Sequence, residues 1–199
     1  IQFTRERRTV FQSILGISWF WGLGGVYLSL MPEFTKTVLG YDQQVANLLF
    51  AFFSIGIGVG SMLCERLSGR KVELGLVPFG SIGLTLFGID LYFAVPEHAQ
   101  LGGPLASLEA FLGITAGSGF SLSHGRLMFD VFMIGLFGGF YIVPLYALVQ
   151  IRSDPKHRSR IIAGNNVLNA LVIVLVAVVA ILLRNQLGLD ITEVFLVMA

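Results

Sequence analysis

Charge is what this sequence has least of. Of its 199 residues only 13% are Asp, Glu, Lys or Arg, roughly half the share of about 25% found in soluble domains. A soluble fold of this length needs that charge to cover its outside, so the deficit excludes an ordinary water-facing surface. Cysteine is nearly absent as well. Cys64 is the single one, which rules out an intrachain disulfide, and its place at a helix end reads as a buried structural thiol rather than a reactive one. Histidine is scarce: His98, His124 and His157 lie in connections, with no spacing suited to a metal. No Ser-His-Asp arrangement and no helix-borne carboxylate pair is present in a pattern that builds a catalytic centre. No enzyme active site, metal or cofactor is expected. The net charge of +1 says nothing in favour of nucleic acid.

What is abundant is apolar length. Hydrophobic residues make up 55% of the chain, and the mean hydropathy is +0.80. Uncharged runs cover residues 9–32 (24 residues), 43–64 (22), 131–151 (21) and 161–183 (23). A helix crossing about 30 Å of hydrocarbon needs about 20 such residues. A fifth stretch, 74–95, is long enough but contains Asp90. The first run is too long for the core of a secretory signal and lacks a small-residue cleavage pattern. The expected fold is therefore an all-α polytopic membrane bundle. Its spans fall at about 9–31, 44–64, 74–95, 127–150 and 161–183, with the start of a sixth at 192–199.

The remaining charges indicate sidedness. Alternate connections receive Arg5, Arg7 and Arg8, then Arg66, Arg70 and Lys71, then Arg152, Lys156, Arg158 and Arg160. The opposite side receives Lys36, Arg126 and Arg184. The positive-inside rule places the first group, and the N-terminal end, in the cytoplasm. The stretch "GSMLCERLSGRKVE" is then a short cytoplasmic turn between spans two and three. Residues 96–125 form a longer outer connection, in which "PLASLEAFLG" has the pattern of a short amphipathic segment lying in the interface. The chain reads as a fragment cut inside a sixth span.

Glycine is plentiful at 24 residues and concentrated within spans. Gly56/Gly60 and Gly135/Gly139 are small residues four apart, one helical face, which lets backbones approach closely. Such faces serve plain packing or permit helices to rock. Pro78 and Pro144 fall inside spans three and four and are expected to kink them. Polar groups within spans are costly, and so are candidates for function. Arg126 and Asp130, four apart at the outer entrance of span four, can pair on one face. Alternatively, with Asp90, they meet a charged head group. Asn165 and Asn169 share a face of span five, as interhelical glue or as a substrate-contacting stripe. Tyr141 completes the candidate set, which is chosen on polarity and position.

Three stretches carry a resemblance. Gly60, Glu65-Arg66 and Gly69-Arg70-Lys71 look like a degenerate copy of G-x-x-x-D-R-x-G-R-K. That pattern marks the turn between the second and third helices of each half of the major facilitator superfamily. Glu stands for Asp, and both the acid and the second glycine come one position late. Residues 138–171, "GGFYIVPLYALVQIRSDPKHRSRIIAGNNVLNAL", resemble the tenth and eleventh helices of bacterial lysophospholipid transporters. "SILGISWFWGLGGVYL", 13–28, resembles their seventh. "IGIGVGSMLCERLSG" and "RSDPKHRSRIIAGNN" are similar to forms in which the transporter is fused to a lysophospholipid acyltransferase.

The resemblance implies the C-terminal half of a twelve-helix carrier in the bacterial inner membrane. That family moves lysophosphatidylethanolamine-like lipids inward for reacylation. It implies the N-terminal six-helix half as a partner, and a fused or associated acyltransferase as a further one. Spans one, two, four and five would line the cavity, with Gly60, Glu65, Arg66, Gly69, Arg70 and Lys71 forming a cytoplasmic latch. Two alternatives stand beside it. One is a proton-coupled exporter of small solutes from the same superfamily, which wants an acid deep in a span. The other is a non-transporting membrane anchor for an acyltransferase.

Overall fold

The computed structural model describes residues 2–69, 73–95, 104–114 and 121–199, with side chains from Arg8 onward in the first helix. The elements in order are α1 (Gln2–Thr37), α2 (Gln43–Leu67), α3 (Leu76–Ala94), α4 (Leu108–Phe111), α5 (Leu122–Arg152), α6 (Arg158–Leu187) and α7 (Ile191–Met198). Among the described residues there is no strand, only an isolated bridge from Tyr41 to Ala106. Helices α1, α2, α3, α5 and α6 are each long and apolar enough to cross a bilayer. The all-α polytopic bundle expected from the hydrophobic runs is the fold observed.

Most helix ends follow from residues visible in the sequence. Asp42 caps α2 by accepting the Gln44 N–H at 2.9 Å. Asp190 and Glu193 form a reciprocal capping box on α7, at 2.8 and 2.9 Å. Gly69 (φ +58°) and Gly188 (φ +69°) take the left-handed conformation that ends α2 and α6. The prolines divide. Pro144 lies deep inside α5, as expected. Pro78 does not sit mid-helix: α3 begins at Leu76, so Pro78 occupies the first turn, where no intrahelical N–H bond is lost. The expected kink in span three is therefore withdrawn. Pro32 instead lies within α1, which continues to Thr37.

Helix α5 is the hub, packing chiefly on α2 and α3 and also on α1. Its seam with α2 is backbone on backbone. A Cβ at Gly56 would stand 2.1 Å from the Phe132 carbonyl oxygen, and one at Gly60 2.0 Å from that of Leu136. Gly135 and Gly139 return the same close approach toward Phe53 and Ser61. The contacts rise together along both chains, so α2 and α5 run parallel. Helix α3 is antiparallel to them, with Gly80 against Tyr141 near one end and Asp90 against Arg126 near the other.

Helices α1 and α6 form a second parallel pair. Ser18 meets Asn169 and Glu33 meets Arg184, and both pairs are 151 residues apart in sequence. Between them Gly22 lies against Val172 and Val176. Thus α1, α3 and α6 point one way and α2 and α5 the other. One end of the bundle, the basic end, collects Arg8, Arg66, Arg152, Arg158 and Arg160. The other carries Lys36, Asp90, Arg126 and Arg184.

At that other end the connection to α5 is docked rather than laid across an interface. Ala106 exchanges backbone hydrogen bonds with the α1–α2 turn, N–H to Gly40 at 2.9 Å and C=O from Asp42 at 3.0 Å. Phe111, on the single-turn α4, is fully buried in a core shared with Phe34, Leu49, Leu91 and Leu127. His124 stacks on Phe111 with ring centroids 4.5 Å apart. It also makes polar contacts with the Phe111 carbonyl (3.1 Å) and the Tyr41 hydroxyl (3.2 Å).

Candidate functional site

The charged residues of α3 and α5 converge at the end opposite the basic one. Asp90 lies on the last full turn of α3 and Arg126 on the second turn of α5. Antiparallel packing brings them face to face. Arg126 grips Asp90 through two nitrogens, Nε donating to Oδ2 at 3.0 Å and an Nη donating to Oδ1. This fork-to-carboxylate geometry fixes both side chains. The i,i+4 pair that sequence spacing offered, Arg126 with Asp130, is not the one formed. The guanidinium reaches across to α3 because Asp130 points inward.

Asp130 is fully buried, and neither of its carboxyl oxygens receives a hydrogen bond from a protein donor. Its charged neighbours are Asp90 and Arg126. A buried polar group without a partner costs on the order of 1–3 kcal/mol, more if charged. The arrangement is a satisfied ion pair beside an unsatisfied acid, offering one cationic and two anionic groups within one turn of α5.

The other three candidates do not join this cluster. Tyr141 lies eleven residues beyond Asp130 on α5, about 16 Å along the helix. Its hydroxyl donates to the Gly16 carbonyl at 3.3 Å and its ring stacks on Phe20, which ties α5 to α1. Asn169 accepts a hydrogen bond from Ser18 at 2.8 Å, joining α6 to α1 in the manner of glue. Asn165 is buried with its Oδ1 unpartnered, while its amide reaches Asn166 at 3.5 Å.

The latch-like turn is partly described. Gly60 lies on the α2–α5 seam, where it serves packing. Glu65 and Arg66 occupy the last turn of α2, and Gly69 terminates it through its positive φ. Arg70 and Lys71 lie outside the described residues. Among the described residues no three His, Cys, Asp or Glu side chains gather to hold a metal.

Sequence reading missed a second ion pair at the same end. Arg184 donates to both oxygens of Glu33, at 3.0 and 2.8 Å. Each is the first charge beyond an apolar run that ends on the same side, and that signal pointed to the pairing. The His124–Tyr41–Phe111 cluster was also missed, and no periodicity announces it.

Five spanning helices, polar side chains turned toward one another and charges held at two ends define a multi-pass α-helical membrane protein. Comparison with known proteins narrows the class. The lysophospholipid transporter LplT of Enterobacter sp. (strain 638) is 30% identical over 154 residues, 77% of this chain and 31% of that protein. Its namesake in Yersinia enterocolitica (serotype O:8 / biotype 1B) is 29% identical over 154 residues, 77% of this chain and 30% of that protein. The one in Escherichia coli O157:H7 (strain EC4115 / EHEC) is 28% identical over 141 residues, 70% and 28%. The chain is thus a relative of the bacterial lysophospholipid transporters, and it spans somewhat under a third of their length. No family model matches it, and no solved structure matches it significantly.

Proposed function

We propose that this chain is the C-terminal half of a carrier that moves lysophosphatidylethanolamine-like lipids across the bacterial inner membrane by alternating access. The observation that carries the reading is the juxtaposition of the Arg126–Asp90 pair with the unpartnered Asp130. A zwitterionic head group needs a cation for its phosphate and an anion for its amine. Arg126 supplies the first and Asp130 the second, and the lipid displaces Asp90 from the guanidinium as it binds.

In this reading the basic end faces the cytoplasm, following the positive-inside rule. The N-terminal half closes over α1, α2, α5 and α6, and the two halves rock about the lipid. Glu65 and Arg66, with Arg70 and Lys71 beyond them, hold the cytoplasmic side shut in the outward-open state. Delivered lysolipid then feeds an acyltransferase, fused or associated. One observation favours a second reading, a cation-coupled exporter of small solutes: Asp130 is the buried acid such a protein requires.

Uptake of labelled lysophosphatidylethanolamine by spheroplasts expressing the full-length protein tests the first reading. Uptake competed by other lysophospholipids, and lost in Arg126→Ala at normal expression, is the expected result. Undiminished uptake in Arg126→Ala refutes the head-group role. Absence of lipid uptake by a folded protein transfers the case to the exporter or to a non-transporting anchor. An unchanged inward/outward balance in Glu65→Ala, read by cysteine crosslinking, refutes the latch.

A further inference from the structure

The basic end of the bundle holds a cleft that the head-group cluster does not use. It has a volume of about 830 Å³ and opens between the first turns of α1 and α6, under the turn that joins α5 to α6. Its walls are apolar, formed by Phe11 and Ile14 from α1 and by Ile161 and Leu168 from α6. Its rim is polar, with Arg152 on the last turn of α5 and His157 at the head of α6. The volume lies near the top of the usual ligand-pocket range of about 300–1,000 Å³.

The charge around this rim has one sign available to a ligand. Lys156, Arg158 and Arg160 follow within one turn, and Arg8 stands one turn before Phe11 on α1. The local acid is Asp154, and it is already engaged. The Lys156 N–H donates to one of its oxygens at 2.9 Å, and the His157 Nδ1 lies 3.1 Å from the other. These contacts hold its carboxyl below the usual carboxylate range. An apolar cleft beneath a cationic rim matches an anionic head on a single hydrocarbon tail.

We propose that this cleft is a second amphiphile site, on the basic side of the bundle. It holds one single-chain phospholipid with its tail between α1 and α6 and its phosphate at Arg152 and His157. The inference rests on the transport reading and deepens it: the outer cluster takes the lipid in, and this cleft holds it before release. The site lies where α6 begins, so a bound lipid presents its head group to the aqueous side.

Gly164 makes the site testable. A Cβ there meets nothing within 4 Å, and the residue lines the cleft. Gly164→Phe therefore fills the space without driving backbone apart. The experiment uses the full-length protein in proteoliposomes, with lysophosphatidylethanolamine carrying a photoreactive diazirine near the end of its chain. Crosslinked residues are mapped by mass spectrometry, and uptake and thermal unfolding are followed on the same preparations.

The expected result is label on Phe11, Ile14, Ile161 or Leu168, competed by unlabelled lysolipid and not by diacyl lipid. Gly164→Phe removes that label with unfolding unchanged. Arg152→Gln weakens labelling about tenfold or more, the loss of a hydrogen bond to a charged group. Intact uptake with no label in the cleft, or label unaffected by either variant, overturns the inference and leaves the transport reading standing. Competed label in the cleft with no uptake supports the site and counts against transport.

Discussion

Three glycines two residues apart on α2 give an internally controlled test of the packing. Gly56 and Gly60 face the α5 backbone, while a Cβ at Gly58 meets nothing within 4 Å. An added methyl at Gly56 begins 2.1 Å from a carbonyl oxygen and one at Gly60 begins 2.0 Å away, whereas ordinary contact starts at 3.4 Å. The helices must separate by 3.4 − 2.1 = 1.3 Å or 3.4 − 2.0 = 1.4 Å to admit either methyl. No rotamer change absorbs that, because the opposing atoms are backbone. A gap of about 0.5–1 Å already forfeits a quarter to a half of each dispersion contact. The expected cost of Gly56→Ala or Gly60→Ala is about 3 kcal/mol, the top of the common range for overpacking. Having paid the separation once, the double variant costs less than the sum of the two. Gly58→Ala is expected to be neutral or stabilising by up to about 1 kcal/mol, since alanine is the better helix former. Equilibrium unfolding by sodium dodecyl sulfate in mixed micelles, followed by circular dichroism, reads all four. Equal damage from Gly58→Ala and Gly60→Ala, or harmless alanines at Gly56 and Gly60, would refute the seam.

Three further outcomes are expected. Phe111→Ala removes a fully buried ring from the outer core and should cost about 3–5 kcal/mol; the freed 104–114 segment should also become cleavable by added protease. Ser18→Ala should cost about 0.6 kcal/mol and at most about 1.7, the span measured for interhelical hydrogen bonds in membranes; double-mutant cycles with Asn169→Ala check it. Arg184→Glu places two carboxylates where Glu33 now has a partner, and should lower the unfolding temperature. Adding Glu33→Arg should recover most of the loss, and failure to recover would deny the pair a structural role.

Much of the architecture was legible because lipid imposes length. The uncharged runs located every crossing helix, and glycines four apart marked the α2–α5 seam. Helix ends were readable where Asp42, Asp190, Gly69 and Gly188 announce themselves. The candidate site was legible in its residues but not in its pairing. Spacing along α5 offered Arg126 to Asp130, and only the antiparallel docking of α3, 36 residues away, supplies Asp90 instead. Tyr141 and Asn169 were polar residues in spans like the others, yet their partners Gly16 and Ser18 lie on a helix more than a hundred residues distant. Pro78 misled because the apolar run starts two residues before the helix does. His124 and Phe111 carried no signal at all, since residues in connections obey no period.

The matched register of α1 and α6 has a mechanical meaning. Ser18–Asn169 and Glu33–Arg184 fasten the two helices at points fifteen residues apart, about 22 Å along the axis. Two rods bolted at two such points neither slide nor swivel against one another. The pair behaves as one strut, able to transmit a tilt from one face of the membrane to the other without bending. Any flexing of this bundle must then occur where the strut meets α5, along the contacts of Gly16 and Phe20 with Tyr141.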